Sequence, residues 1–271
     1  MTSLRDQTVS DFGEQWSTLR FDETQEGYYA SDALFDDLVQ PLVSPSEFKG
    51  KSVADIGSGT GRIVKMLARA GASRIVAVEP SEGFAKVVEN TAAFKDRVTY
   101  VNARGDELPL GLDLDWVVSF GVIHHIPEPD PVMRRAYQAL KPGGKMVVWL
   151  YGAEGNGAYL ALARPLRAVT TRLPHSALNA VTATLDVPLR AYIALCRRFP
   201  LPMHDYMNNH IGKFSDKIRR LTIYDQLNPA HAKYYTRQEA YELFERAGFT
   251  DIRLHHRHGY SWLVVGSRPP G

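Results

Sequence analysis

Short runs of β-branched and aliphatic residues alternate along this chain with longer stretches of helical pattern. From about residue 50, Ser52-Val53-Ala54-Asp55-Ile56 predicts a strand, residues 62–70 a helix, Arg74-Ile75-Val76-Ala77-Val78 a strand and residues 82–94 a helix. Three further strands are predicted at 98–101, 116–119 and 145–149. Between the last two, Asp130 reads as an N-cap with Pro131 at the first helical position, and Lys141-Pro142-Gly143-Gly144 closes that helix. Repeated βα units predict an α/β fold on a mostly parallel sheet.

The stretch 153–225 breaks the rhythm. Its leucines, alanines and arginines predict helices, which prolines at 165, 174, 188, 200 and 202 cut into short pieces. Thr236-Arg237-Gln238-Glu239 has capping-box spacing and starts a helix ending near Gly248. Residues 250–256 and 260–265 then predict an antiparallel terminal hairpin around Arg257-His258-Gly259. The first fifty residues, with Trp16, Phe21, Tyr28, Tyr29 and Phe35, predict a helical cap. The expected division is a cap over 1–49, a core over 50–152 and 226–271, and a helical insertion over 153–225.

Composition narrows the class. A chain of 271 residues and 30.3 kDa with 44% hydrophobic and 23% charged residues can bury a large core, as one domain with a sizeable insertion. A formal charge of +2 gives no global field calling for nucleic acid. The single cysteine, Cys196, excludes an internal disulfide framework, a cysteine-based zinc site and an iron–sulfur centre, and suits a reducing compartment, so a cytoplasmic location is expected. The N-terminus lacks the pattern of a targeting segment. Leu178 to Leu195 is interrupted by Asp186, Pro188 and Arg190, so spanning a membrane is not expected, although surface contact with lipid stays open.

The chemistry concentrates in Val53-Ala54-Asp55-Ile56-Gly57-Ser58-Gly59-Thr60-Gly61, a strand running through a glycine loop into a helix. Glycines let the backbone approach a ligand, and the helix start presents unpaired amides. Glu79 ends the next strand, where a carboxylate can accept both hydroxyls of a ribose. Dinucleotide sites favour Gly-x-Gly-x-x-Gly, whereas this loop is Gly-x-Gly-x-Gly preceded by Asp55, an acid that repels a pyrophosphate and welcomes a cation. On these residues the chain resembles the class I S-adenosylmethionine-dependent methyltransferases of small-molecule type. Ser119-Phe120-Gly121-Val122-Ile123-His124-His125-Ile126 and Leu140-Lys141-Pro142-Gly143-Gly144 are similar to the later family motifs, in the same order.

The resemblance implies a Rossmann-like sheet of seven strands, the last antiparallel, with S-adenosylmethionine over the carboxyl ends of the first strands. It implies that Asp55, Gly57, Ser58, Gly59 and Gly61 lie along the methionine part, that Glu79 holds the ribose and that Phe120 lines the pocket. The family's adenine-contacting acid falls at Arg104 here, and Asp106 is the nearest acid to which that role carries over. Methyl transfer needs alignment and exclusion of water more than many catalytic groups. For a hydroxyl acceptor, His125 after the fourth strand is the candidate base or orienting group; the plain alternative is an imidazole bonded to a backbone carbonyl. Tyr28, Tyr29, His204, Tyr206 and His210 are candidates for the acceptor pocket, with packing of the cap or a solvated helix end as the alternative. No metal site is expected.

The acceptor is expected to be a small molecule. The fourth strand lacks the Asn/Asp-Pro-Pro-Tyr/Phe loop that resembles base or glutamine methylation, and no nucleic-acid partner is expected. Residues 151–225 hold ten basic and five acidic residues, which suits an anionic or amphiphilic acceptor beneath a basic lid; the alternatives are a solvated face or an oligomer interface through the insertion. The expected reaction is O-methylation. C-methylation of an activated or prenyl-type substrate, a nicotinamide-dependent oxidoreductase and a non-catalytic adenosine-binding module remain as alternatives.

Overall fold

A computed structural model describes residues 3–18 and 22–271 of the chain. Phe21, expected in the cap, lies outside the described residues. In chain order the elements are α1 (Leu4–Thr18), α2 (Asp32–Val39), β1 (Ser52–Ile56), α3 (Arg62–Arg69), β2 (Arg74–Val78), α4 (Gly83–Asn90), β3 (Val98–Val101), β4 (Leu114–Phe120), α5 (Asp130–Ala139) and β5 (Leu140–Tyr151). They continue with α6 (Gly157–Thr170), α7 (His175–Cys196), α8 (His204–Asn209), α9 (Asp216–Leu227), α10 (Arg237–Glu245), β6 (Thr250–Arg257) and β7 (Ser261–Ser267).

Seven strands form one sheet in the order β3-β2-β1-β4-β5-β7-β6. The first five pair in parallel, and β7 runs antiparallel between β5 and β6. The expected mostly parallel sheet with an antiparallel last strand is therefore the observed one. Chain order reverses between β1 and β4, so the loops at their carboxyl ends part and leave a crevice there. Near-continuous apolar runs suit strands covered on both faces: Val53, Ala54, Ile56, Ile75, Val76 and Val78 are all buried. One core joins the sheet to α2 and α3 through Phe35, Phe48, Val64 and Leu67; the other joins it to α5 and α10 through Met133, Ala136, Leu243 and Phe244.

Three local readings are corrected. Asp130 is the first residue of α5 and not its N-cap, which is Pro129; its carboxylate instead meets Arg246 Nη2 at 3.0 Å, tying α5 to α10. Lys141-Pro142-Gly143-Gly144 does not stand outside the sheet but belongs to the first half of β5, with a register shift against β4 between Leu114 and Trp116. Pro165 and Pro188 do not cut the insertion, since they lie inside α6 and α7. A proline removes one helical hydrogen bond, and the packing of both helices on α9 outweighs that loss. Leu166, Leu178, Val181, Leu185, Tyr224 and Leu227 form the shared contact.

A buried ion cluster locks α7 to α9. Asp186, 1% exposed, receives the Arg219 guanidinium through both its nitrogens Nε and Nη2, the second at 3.2 Å, and Arg220 Nε at 3.4 Å. Removing one partner of a buried pair strands the other charge, so Asp186→Ala is expected to cost about 3–5 kcal/mol in urea unfolding. Faster hydrogen exchange should appear first in α7 and α9, while β1 to β4 stay protected.

Candidate active site

A cavity of about 630 Å³ opens beneath the insertion at the carboxyl edge of β1, β2, β4 and β5. Gly57, Ser58, Gly59, Glu79, Phe120, His125, Tyr29, Tyr206 and His210 line it. Asp55, Gly61, Asp106, Tyr28 and His204 do not. The cap is tied down beside it by the segment that follows α9: Asn228 Nδ2 donates to the Asp11 carbonyl at 3.1 Å and the Ala230 amide to the Asp11 carboxylate at 2.9 Å.

Strand β1 delivers its loop by close packing. Gly57 has φ +78, and a Cβ there would lie 2.4 Å from Val122 Cγ2 in the loop after β4, so only glycine lets these two loops meet. Its amide donates to the Val78 carbonyl at 2.8 Å, and the Ser58 amide donates to the same oxygen at 3.0 Å. A Cβ at Gly61, the N-cap of α3, would lie 2.7 Å from Thr91 Cγ2, so this glycine serves packing beneath the loop. Only Gly59 looks outward, with the Trp16 ring 3.6 Å from where its Cβ would stand.

Two acids sit at the strand ends. Glu79 Oε2 accepts from the Gly59 amide at 2.7 Å, and Oε1 accepts from the Ser81 amide at 3.0 Å and the Ser81 hydroxyl at 2.5 Å. These bonds fix a carboxylate at the cavity wall while leaving lone pairs on both oxygens. Asp55 lies behind the loop, 1% exposed, and its Oδ2 has no hydrogen-bond partner among the described residues. Burial, with the Glu79 charge beside it, pushes its carboxyl up to about 7. A cation near the loop relieves that penalty. The Glu79 carboxylate on the wall, the buried Asp55 behind it and the apolar side chains of Ile56 and Phe120 fit an adenosyl group bearing a positive charge. Asp106 is engaged elsewhere, 2.5 Å from Arg5 and 3.5 Å from Arg104, while both arginines line the cavity.

The two histidines on the cavity wall, His125 and His210, are neutral. His125 Nδ1 lies 2.8 Å from the His231 carbonyl, so the proton sits on Nδ1, and burial drives the imidazole down to about 3. The ring lines the cavity, edge-on to Phe12, yet such a weak base holds little affinity for a proton. His210 is lowered to about 3 by burial and accepts from Arg257 Nη2 at 3.0 Å. Tyr206 stacks on His210. Tyr28 packs on Phe214 outside the cavity with the Lys213 ammonium 4.9 Å over its ring, and His204 is exposed at the start of α8.

Sequence reasoning missed the polar end of the cavity. Glu23, Arg62 and Asp225 share its wall with Tyr29, the one of the four that the sequence had offered. The Thr60 hydroxyl donates to Glu23 Oε1 at 2.5 Å, and the Arg62 guanidinium lies 4.1 Å over the Tyr29 ring. Glu23 Oε2 and Arg62 Nη1 are buried without hydrogen-bond partners among the described residues. Asp225 accepts from Gln15 Nε2, and burial pushes its carboxyl up to about 8. These residues come from three distant segments, around 23–29, 60–62 and 225, so no motif spacing could have announced them. Further along, Gln226 accepts from Tyr159 and Tyr234 at 2.8 and 3.0 Å and donates to Tyr151 at 2.7 Å, which satisfies a buried tyrosine cluster.

The basic lid is corrected too. None of its eight arginines lines the cavity. Arg219 and Arg220 serve Asp186, Arg167 holds the carbonyls of Gln226 and Pro229, and Arg164, Arg172, Arg190, Arg197 and Arg198 are exposed. The lid turns Leu166, Leu189, Met207, Ile211, Phe214 and Ile223 inward.

Residues 54–148 match the family model for a methyltransferase domain. A demethylmenaquinone methyltransferase of Clavibacter sepedonicus is 33% identical over 136 residues, 47% of this chain and 55% of that protein. A tRNA U34 carboxymethyltransferase of Hahella chejuensis is 33% identical over 117 residues, 41% of this chain and 34% of that protein. The chain thus spans about half or less of the length of these relatives. Among solved structures, phosphoethanolamine N-methyltransferase 2 of Haemonchus contortus, in complex with S-adenosylhomocysteine, superposes on all of this chain and 61% of its own with a TM-score of 0.54 at 16% identity, which shows a shared fold. Residues 54–148 thus form a methyltransferase domain, and the sheet that carries them shares the fold of a solved methyltransferase.

The contact between loops gives a direct test. Gly57→Ala combines a positive φ with a clash and is expected to lower stability by about 2 kcal/mol or more in chemical denaturation. Adding Val122→Ala should return part of that loss, because it clears the clash and leaves only the backbone strain.

Proposed function

We propose that this protein methylates a hydroxyl of a lipophilic small molecule, with Asp225 as the group that receives the hydroxyl proton. The carrying observation is a single cavity that joins the Glu79 and Gly59 edge to a lid wall of leucine, methionine and phenylalanine, with one acidic cluster set into it. The methionine-bearing cofactor, when bound, supplies a methyl group on a sulfonium, which departs readily. Asp55, Gly57, Ser58, Gly59, Glu79 and Phe120 are the residues proposed to hold it, with Trp16 facing the same loop. The cap and the insertion exclude water from it. Apolar walls and outward arginines favour an uncharged or amphiphilic acceptor over an anionic one.

Asp225 replaces His125 in the base role. A general base works best with a pKa near the working pH, which Asp225 meets and a His125 held near 3 does not. His125, fixed by the His231 carbonyl, instead shapes the wall beside the acceptor. Methylation at carbon is a second reading, favoured by the relative named for demethylmenaquinone: an ionised ring hydroxyl also activates the ring carbon next to it. Carbon-13 labelling of the transferred methyl separates the two products.

Cofactor binding is tested by calorimetry with S-adenosylmethionine, S-adenosylhomocysteine and NADH. The two sulfur nucleotides should bind, and Glu79→Ala and Asp55→Ala should each weaken them about 10- to 100-fold, the worth of a hydrogen bond to a charged group. Binding of NADH alone would overturn the reading.

The base is tested by pH. A carboxyl with a pKa of about 8 is mostly protonated at pH 6, so kcat/KM should rise with pH and level off above about 8. Asp225→Asn should remove that rise and lower kcat about 100-fold or more, with S-adenosylhomocysteine affinity retained. The same substitution should raise Tm at pH 8 more than at pH 4. The folded carboxyl keeps its proton to about 8 while the unfolded one loses it near 3.8, so the native Asp225 opposes folding increasingly across that interval.

A further inference from the structure

The outer surface of the insertion is apolar where a lid facing water would be polar. On α6 the exposed positions Ala158, Ala161, Leu162, Pro165, Ala168 and Val169 recur at three- and four-residue spacing and form one stripe, with Leu162 77% and Val169 61% exposed. On α7, Val187, Pro188, Ala191, Ala194 and Leu195 do the same, with Val187 67% exposed, and Phe199 follows the helix end at 55%. Both helices already bury an inner face on α9. Helices apolar on the inner and the outer side call for a second apolar neighbour.

The charges around these stripes select that neighbour. Between residues 155 and 203 every basic residue is an arginine, and Asp186 is the one acid, buried against Arg219. Arg164, Arg172, Arg197 and Arg198 are exposed and have no ion-pair partner among the described residues; Arg190 reaches Asp216 at 3.7 Å. A second copy meeting this face would set arginine against arginine, whereas an anionic lipid surface complements both the stripes and their edge. No helix among the described residues is long and apolar enough to cross a membrane, so the contact is parallel to the surface.

We propose that the outer faces of α6 and α7 dock on an anionic lipid bilayer and that the acceptor enters the cavity from that bilayer. Leu162 belongs to both the outer stripe and the cavity lining, and Leu166, Leu185 and Leu189 continue the apolar path inward. The docking goes beyond the proposed methylation and stands without it; only the entry route rests on that reading.

Flotation with vesicles tests it on the full chain. Vesicles of phosphatidylcholine with phosphatidylglycerol should retain the protein, phosphatidylcholine alone should retain little, and raised salt should release it. Val169→Glu and Val187→Glu, both outside the cavity lining, should each weaken retention about tenfold or more. Arg197→Gln and Arg198→Gln should each weaken it about fivefold. Circular dichroism and S-adenosylhomocysteine titration of the same variants should match the parent protein, which separates lost docking from lost folding and from failure of the methyltransferase reading. Equal absence of retention on both vesicle types overturns the proposal. So does a dimer in sedimentation velocity that Val187→Glu dissolves without any vesicle binding, which assigns the face to a second copy.

Discussion

Arg257 is the point on which closure of the site depends. It is 2% exposed at the end of β6, and its planar fork spends its donors on three separate parts of the chain. Nε donates to the Asp37 carbonyl at 2.7 Å, Nη1 to the Tyr260 hydroxyl at 2.7 Å, and Nη2 to the Asp37 carboxylate and to His210 at 3.0 Å. Next to it His258 donates to Asp37 at 2.8 Å and is held by Asp205 on its other nitrogen. Asp37 belongs to α2, His210 and Asp205 to the insertion, and Arg257 to the terminal hairpin. A cavity walled by segments far apart in sequence needs such a joint, since each wall alone could swing away.

The geometry of the hairpin makes the joint possible. His258 and Gly259 both take positive φ, at +49 and +71, and the Tyr260 amide closes on the Arg257 carbonyl at 3.2 Å. Two left-handed residues in succession match the twist of adjacent strands and keep the turn tight. Burial raises the cost of His258 charge, but Asp37 and Asp205 more than offset it and hold its proton above the usual histidine range. The same desolvation, without a carboxylate partner, leaves His125 neutral. One physical term therefore sorts the histidines into a structural cation and an uncharged wall, according to what each one touches.

Local patterns carried the sheet. The first three strands lie where their β-branched runs place them, and the capping box at Thr236 forms as spaced, with Glu239 returning to the Thr236 amide at 2.9 Å. The insertion was harder to read, because proline propensity is local while the packing of α6 and α7 on α9 is not. Motif spacing brought Gly57, Gly59 and Glu79 to one edge, since all three follow from consecutive βα units. It said nothing of Glu23, Arg62 and Asp225, whose meeting depends on how the cap and the insertion fold back. It also left the lid's arginines open between acceptor contacts and a solvated face, because composition counts charges without saying which way they point.

The placement of those arginines exposes the division of labour in the insertion. An arginine costs little at a solvated edge and much in an apolar cavity without a partner, so the lid gathers its buried arginine at Asp186, satisfies the half-buried Arg167 with the carbonyls of Gln226 and Pro229, and leaves the others exposed. The cavity side is then left to leucine, methionine and phenylalanine, among which a carboxyl such as Asp225, held by the uncharged amide of Gln15, is desolvated and its pKa rises. The apolar lid and the perturbed acid are thus one feature seen from two sides: a wall suited to a lipophilic acceptor is also a wall that converts an ordinary aspartate into a base active near neutral pH.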